Sequence, residues 1–278
     1  MSSTAPMHVG RLVLQPIPHP LPPMPRDDGT RATRRHRLDR DAVELFDRCL
    51  AVVPADSAEL LEKVFRLRFQ VYCVERGFED AAAFSDGRER DGDEARSLHS
   101  LLLDRATGAA VGTVRLILPY RERQLPVFKI IGAGRLHGTG LPLATTAEVS
   151  RFAVAKAFRT RLEAGWRSMT AGAPMADGGP ALQLLIFGLI RAVWMMSAQG
   201  GITHIVGMME PALLRLLARL GIAFHPLGGP VRHHGLRQPC WAIIEHLVDR
   251  MKECHPDLGE IIAAGRLRQS AFHPIAHT

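Results

Sequence analysis

Glu148 and Arg151 lie three residues apart in Thr146-Ala147-Glu148-Val149-Ser150-Arg151-Phe152-Ala153-Val154, a stretch with the composition of a β-strand. Side chains alternate along a strand, so a spacing of three puts the two on opposite faces of a regular one. A bulge near Val149 or Ser150 brings both to one face, and bulges favour active-site surroundings. A carboxylate on a core strand needs a partner, a polar cavity or a proton to move. The pair alone fits either a structural ion pair or a base with a neighbouring cation.

Other charged residues stand where packing alone predicts apolar ones. Arg66 and Arg68 lie on a helix with the apolar stripe Leu60, Val64, Leu67 and Val71. Glu89-Arg90-Asp91-Gly92-Asp93-Glu94 forms an acidic run in a loop, and Arg115 interrupts the apolar segment Val114–Leu118. Arginine–carboxylate pairing between these sites would be directional enough to hold the loop on the sheet. The plain alternative is a solvated helix arginine and a solvated acidic loop.

The elements that must position these residues follow from pattern. Residues 1–40 are rich in Pro and Arg and read as a disordered tail, with a helix starting near residues 39–41. Asp56-Ser57-Ala58-Glu59 looks like a capping box that opens a helix to about Arg76, ended by Gly77. A long loop runs to Ala95. Ser97–Asp104 and Ala110–Pro119 read as a hairpin. Residues 124–142 and 160–180 are Gly-rich and read as loops around the strand at 145–154. A buried helix at 181–199, a strand at Ile202–Met209, a helix at Pro211–Leu220 and strands at Ile222–Pro226 and Cys240–Leu247 complete the order. This mixture predicts an α/β (α+β) fold: a central sheet flanked by helices. One domain is expected over 41–265, with a flexible tail at 266–278.

The net charge of +7 is uneven: +4 over residues 1–40, −6 over 41–100 and +9 over 101–278. A basic body suits an acidic partner. No nucleic-acid motif is present, and aromatics are only 6%, too few for base-stacking platforms. Cys49, Cys73, Cys240 and Cys254 form no CxxC pair and read as free thiols of a reducing, cytoplasmic compartment. The apolar run Ala181–Met196 is shorter than the roughly 20 residues of a membrane span, so no integral span is expected.

Arg68-Phe69-Gln70-Val71-Tyr72 with Glu75-Arg76-Gly77-Phe78 resembles the first motif of the acyl-homoserine-lactone autoinducer synthases, with Phe78 where the family usually has Trp. Glu89-x-Asp91-x-x-Glu94 resembles their acidic motif, with Glu94 in place of the usual Asp. Gly112-Thr113-Val114-Arg115-Leu116 resembles their glycine–arginine strand, and Glu148-Val149-Ser150-Arg151-Phe152 their Glu-x-Ser-Arg-Phe motif. The C-terminal part departs from that family. Met209–Arg215, His234-Gly235 and Arg237-Gln238-Pro239-Cys240 resemble the acyltransferases associated with PEP-CTERM/exosortase systems, which are similar to N-acyl amino acid synthases. Together the resemblance covers roughly residues 45–265. It implies a GNAT-like acyltransferase fold whose mixed, mostly antiparallel sheet splays to admit a pantetheine arm.

The resemblance implies an N-acyltransferase. A fatty acyl group would pass from an acyl carrier protein, or coenzyme A, to the amine of an amino acid or similar small molecule. The acyl-phosphopantetheine thioester would be a substrate, with no bound cofactor and no metal. Glu148 is the expected general base, with Arg115 and Arg151 orienting the acidic motif or binding an acceptor carboxylate. Arg68 is expected to tie its helix to Asp91 and Glu94, with Tyr72, Phe78, Ser150 and Phe152 lining the substrate site. Backbone N–H groups of a bulge after Arg151 would stabilise the thioester oxygen. Leu184–Met196, Phe152, Met208 and Met209 are expected to line an acyl slot. Arg159, Arg161, Arg215 and Arg219 are expected to dock the acidic carrier protein. His233 and His234 read as a solvent-facing pair. Two other readings stay open: an S-adenosylmethionine-dependent lactone synthase, and a non-catalytic acyl-chain or carrier-protein binder with Glu148 locked in ion pairs and inaccessible to an amine.

Overall fold

A computed structural model describes residues 43–121, 123–132, 139–169, 179–256, 259 and 262. The expectations for tails at 1–40 and 266–278 lie outside the described residues. In chain order the elements are α1 (residues 43–49), β1 (Leu50–Pro54), α2 (Ala58–Arg68), β2 (Ser97–Asp104), β3 (Ala110–Ile117), α3 (Pro126–Ile131) and β4 (Thr146–Val154). There follow α4 (Lys156–Met169), α5 (Gly179–Gln199), β5 (His204–Met209), α6 (Pro211–Arg219), β6 (His225–Pro226), β7 (Val231–Arg232), β8 (Leu236–Ile243) and α7 (Ile244–Cys254).

The strands form one mixed sheet in the order β1-β2-β3-β4-β5-β8-β6, with β7 paired to β8. Among the described residues β4 and β5 are the parallel pair, and the other pairs are antiparallel. The expected mixed, mostly antiparallel sheet with flanking helices is therefore present. The hairpin at Ser97–Ile117, the buried helix near 181–199 and the helix from Pro211 also stand where the pattern places them.

One face of the sheet carries the main core. Val114 and Leu116 of β3 and Ala147 and Val149 of β4 pack there with Leu184–Phe187 of α5, Phe158 of α4 and Phe46 of α1. Burying each of the Val, Leu, Ile and Phe side chains contributes about 1.5–3 kcal/mol. Helix α5 lies close because Gly188 has no side chain; a Cβ there would sit 2.8 Å from a Leu102 methyl and 2.9 Å from the Phe46 ring. Its Leu182–Gln199 window is long and apolar enough to cross a membrane, but 67% of it is buried in the fold.

The opposite face carries two smaller apolar clusters with a polar seam between them. One joins Val64, Leu67 and Val71 to Leu101 of β2 and Ala153 of β4. The other joins Val127, Phe128 and Ile131 of α3 to Ile117 of β3 and Val206 of β5.

Several elements differ from the pattern reading. Helix α2 ends at Arg68, and Phe69–Glu75 continues as a wider π-helical segment up to Gly77, whose φ is +60°. Ser57 caps α2 through the Leu60 N–H, but Glu59 is one residue too early to close a capping box. β1 was not foreseen. Residues 126–131 and 160–169 are helical where glycine content suggested loops, the latter as part of α4; the glycines flank α3 or fall in the second half of α4, leaving most of each helix free to coil. Pro126 occupies the first turn of α3, where its missing N–H costs nothing. Finally, Ile244–Cys254 is helix α7 rather than the end of a strand, and only His225–Pro226 of the 222–226 stretch is extended into the sheet.

Candidate active site

The register between β3 and β4 slips by one residue: Thr113 faces Ala153, whereas Arg115 faces Ser150. Two residues of β4, Arg151 and Phe152, therefore oppose Val114 alone. Arg151 absorbs the slip with φ = +50°, a left-handed conformation that is uncommon for a non-glycine residue. The bulge sits at Arg151, one residue beyond the expected Val149 or Ser150. It sends Arg151 to the face that already holds Glu148, Ser150 and Arg115, while Phe152 returns to the main core.

Arg151, Arg115 and Arg68 meet the acidic loop in a closed ring. Arg68 binds Glu89 and Glu94; Arg115 binds Glu94 and Asp91; Arg151 binds Asp91 and Glu89. Within the ring each guanidinium bridges two carboxylates and each carboxylate takes two guanidiniums, and Arg151 lies in addition 3.8 Å from Glu79. Contacts in the ring run from 2.7 to 3.2 Å outside the Arg68–Glu89 bond. The ring links α2, the acidic loop, β3 and β4, and so joins all four motif segments. Arg115 also donates to Ser150 Oγ at 2.9 Å.

The expected tie from Arg68 to Asp91 is replaced by one to Glu89. Asp91 is already occupied by the two strand arginines. Glu89 was quoted within the acidic motif without a role, yet it is 1% exposed and joins Arg68 to Arg151. Its position two residues before Asp91 in an acidic run was the available signal. Glu94 uses the reach of a glutamate: its Oε1 takes Arg68, Arg115 and the Asp91 N–H, and its Oε2 lies 3.0 Å from His99 Nε2.

Burial raises the cost of ionising Glu89, Asp91 and Glu94, but the arginine bonds outweigh it, and all three stay below the ordinary carboxylate range. For Glu94 the contact with His99 is the largest of the opposing contributions. Burial pushes His99 down, against the pull of Glu94.

Glu148 has a different setting on the same face. It is 5% exposed, and its Oε2 accepts the Val127 N–H at 2.8 Å from the first turn of α3. No salt bridge to Glu148 occurs among the described residues. Burial pushes its carboxyl up to about 7, against smaller downward pulls from the Val127 N–H and the Arg115 charge. Asp93 pushes it further up and Arg96 draws it down. Of the two conditions expected of a non-catalytic binder, a Glu148 locked in ion pairs is not found among the described residues, while its burial fits the second, a carboxylate closed to an amine. The contribution of α3 was missed because the segment was read as loop.

Glu148 also stands beside a fork in the sheet. β4 and β5 pair only from Thr146–His204 to Val149–Gly207. β4 then continues against β3 to Val154, and β5 continues against β8 to Met209. Gly207 permits the close approach at the branch point, since a Cβ there would lie 3.0 Å from the Val149 carbonyl oxygen. Beyond it, the backbone of the Arg151 bulge lines the fork. Tyr72 reaches in and donates to the Phe152 carbonyl at 3.4 Å, with Arg151 over its ring at 5.5 Å.

The turn between β7 and β8 closes against the other side of this region. His234 Nδ1 lies 2.8 Å from the Phe78 carbonyl, and Arg237 sits 5.2 Å over the Phe78 ring while pairing with Glu210 at 2.6 Å. His233 and His234 are both exposed, as expected of a solvent-facing pair, and His234 in addition contacts the 76–79 segment. Its φ of +47° marks the tightness of the turn.

Other assigned residues separate. Met209 packs in the main core with Leu184–Met196 of α5, but Met208 faces the α3 cluster because neighbours on a strand point to opposite faces. The expected acyl-slot wall is divided accordingly. Arg215 and Arg219 are exposed on α6. Arg159 pairs with Glu163 at 3.7 Å, and Arg161 pairs with Asp104 and stacks on Phe158. Helices α4 and α6 follow β4 and β5 in the chain, and Asp104 at the end of β2 holds Arg161.

Residues 67–165, which hold Arg68, the acidic loop, Arg115, Glu148 and Arg151, match the family model for the acetyltransferase (GNAT) domain. This chain carries a GNAT acyltransferase domain. No curated protein matches the sequence. Among solved structures, the GNAT domain and its flanks are similar to BjaI, a CoA-dependent acyl-homoserine lactone synthase solved with SAM and isopentyl-CoA (TM-score 0.53, 20% identity, 79% of this chain and 99% of BjaI). They are also similar to TofI in a ternary complex with an inhibitor and MTA (TM-score 0.52, 19% identity, 76% of this chain and 99% of TofI). FeeM, an N-acyl amino acid synthase from uncultured soil microbes, aligns at a TM-score of 0.47 with 14% identity, over 72% of this chain and 93% of FeeM. The first two likenesses show the GNAT-like fold.

Proposed function

We propose that the protein is an N-acyltransferase that moves a fatty acyl group from a phosphopantetheine thioester to the amine of an amino acid or similar small molecule. The observation that carries this reading is Glu148: a buried carboxylate held by a peptide N–H rather than by an arginine, beside the fork, with its carboxyl pushed up to about 7. A general base works best when its pKa lies near the working pH. In this reading the pantetheine arm enters the fork and its thioester carbonyl lies against the Arg151 bulge. Backbone N–H groups there stabilise the oxyanion. The amine nitrogen attacks the carbonyl carbon while Glu148 takes its proton, directly or through one water. The C–S bond breaks, and the proton passes from Glu148 to the leaving thiolate.

The charged ring shapes the site in this scheme. Arg115 and Arg151 are occupied by Asp91, Glu89 and Glu94, which favours orientation of the acidic loop over capture of an acceptor carboxylate. Tyr72, Phe78 and Ser150 complete the walls, whereas the expected Phe152 side chain packs against the main core instead. The donor is acyl carrier protein, with coenzyme A as the alternative. Arg215 and Arg219, exposed on α6, and Arg159 and Arg161 on α4 would supply the positive charge that an acidic carrier meets as it presents its arm.

The test is thioester consumption with carrier-bound and CoA-bound donors, with the product identified by mass spectrometry, for wild type and Glu148→Gln. Loss of turnover in the variant is expected. Unchanged turnover removes Glu148 as the base, and an inert wild type supports a binder on the same fold.

A further inference from the structure

The acidic loop does more than close the arginine ring. Asp93, 8% exposed, faces away from that ring. Its Oδ1 accepts from Arg96 Nε at 3.0 Å and from Arg96 Nη2 at 2.9 Å, and Arg123 Nε lies 3.3 Å away. Arg96 then uses its two terminal nitrogens on the chain just before α3: Nη1 donates to the Arg123 carbonyl at 2.7 Å and Nη2 to the Gln124 carbonyl at 2.9 Å. Arg123 returns a bond from Nη1 to the Gly92 carbonyl at 2.7 Å. Arg96 Nη2 is shared between Asp93 and the Gln124 carbonyl. Three residues later the Val127 N–H meets Glu148.

The arrangement matters because α3 has only six residues and its N-cap residue, Leu125, supplies no side-chain cap, leaving Glu148 as the side chain on its first turn. A single helical turn has little intrinsic stability in water. Its position therefore depends on packing against Ile117 and Val206 and on what holds the strand leading into it. Arg96 fixes that lead-in at two consecutive carbonyls, and Asp93 fixes Arg96.

We propose that Arg96 is a positioning residue for Glu148: clamped by Asp93, it holds the turn at 123–124 so that the Val127 N–H stays on the Glu148 carboxylate. The inference rests on the reading of Glu148 as general base. Arg96 does not touch the reacting groups and acts through α3. The charged groups acting on Glu148 are Arg115 from β3 and Asp93 and Arg96 from the segment before β2; α3 supplies its peptide N–H, and β5 presents apolar Val206.

The direction of the effect follows. Losing Arg96 removes one favourable charge and loosens the Val127 hydrogen bond, and both losses disfavour the carboxylate. Glu148 then binds its proton at higher pH, so the acid limb of activity moves upward.

The experiment compares kcat/KM against pH for wild type, Arg96→Met and Arg96→Lys, with backbone hydrogen exchange at Val127 as a readout independent of turnover. For Arg96→Met we expect the acid limb to rise by about one pH unit, about a tenfold loss at pH below the limb, together with faster exchange at Val127. Arg96→Lys keeps the charge but holds one carbonyl, so about half that shift is expected, with intermediate exchange. A folded Arg96→Met with an unmoved limb, or with wild-type exchange at Val127, overturns the proposal. A limb fully restored by lysine while Val127 still exchanges fast also overturns it, since charge alone would then explain the effect. If Arg96→Met does not fold, Arg96→Lys carries the same criteria. Glu148→Gln, assayed in parallel, separates the two levels: retained activity there defeats the base assignment, whereas a dead Glu148→Gln beside an unmoved Arg96→Met defeats the positioning role alone.

Discussion

Four carboxylates lie on one face of the same sheet, and the protein treats them in two ways. Glu89, Asp91 and Glu94 each receive two guanidiniums and are held ionised. Glu148 receives one peptide N–H and is pushed toward its neutral form. Glu89 and Glu148 are both buried, so burial does not distinguish those two; the number and charge of the partners does. A ring that satisfies every charge has no proton to exchange near neutral pH, and its product is geometry. It holds Arg151 in a left-handed bulge that costs about 1–3 kcal/mol. A carboxylate left short of partners is poorly placed for stability and well placed for proton transfer.

The contrast is tested first on activity. Glu148→Gln is expected to lower acyl transfer by roughly 10²–10⁴-fold, the range for loss of a general base, measured by thioester consumption at pH 8. The ring is tested next on stability. Glu89→Gln leaves Arg68, 0% exposed, and Arg151 each short of a charged partner. Removing one partner of a buried pair costs about 3–5 kcal/mol, to be read from denaturant unfolding.

Glu148→Gln should act in the opposite sense on stability. Its folded carboxyl is raised from 4.5 to about 7. The native state therefore holds the proton more tightly than the unfolded chain, and stability contributed by this group falls as pH rises from 4.5 through 7. Glutamine escapes that cost. The variant should be more stable than wild type by about 3 kcal/mol at pH 8, with the gain vanishing below about pH 4.5. The ring carboxylates have the reverse sign. Their lowered values mean that the stability they contribute is complete above the ordinary carboxylate range and is lost as pH falls through the lowered values. Thermal unfolding from pH 3 to 8 checks both slopes.

Arg215→Glu with Arg219→Glu touches neither group and serves as the control. It should leave unfolding and the pH profile unchanged while raising KM for a carrier-bound donor about tenfold at low salt. Unaffected carrier kinetics would remove α6 from the docking face.

Much of this site was legible in the sequence because its motifs carry charges that packing does not explain. Arg68, the acidic run, Arg115 and Arg151 were recognisable as partners, and the alternation rule showed that Glu148 and Arg151 share a face only across a bulge. The pairing itself was not legible. Which carboxylate each arginine takes depends on where the bulge falls, and Arg151 shifts only after β4 is paired with β3. Glu89 therefore emerged as the link that Asp91 was expected to be. Helix α3 was hidden for another reason: six residues are too few to show a helical period, and the glycines beyond it dominated the reading. His99 looked like an ordinary strand residue until Glu94 came to lie 3.0 Å away. The β7–β8 turn was visible only as a resemblance, because its contacts with Phe78 span 156 residues of sequence.

The most direct test of the central claim is the pH dependence of single-turnover acyl transfer in wild type and Glu148→Gln. A wild-type rate that falls below an acid limb near 7, with that limb absent from the residual activity of the variant, is the predicted result. A wild-type rate flat through pH 6–8, or a limb near 7 that survives in Glu148→Gln, would contradict the assignment of Glu148 as the base.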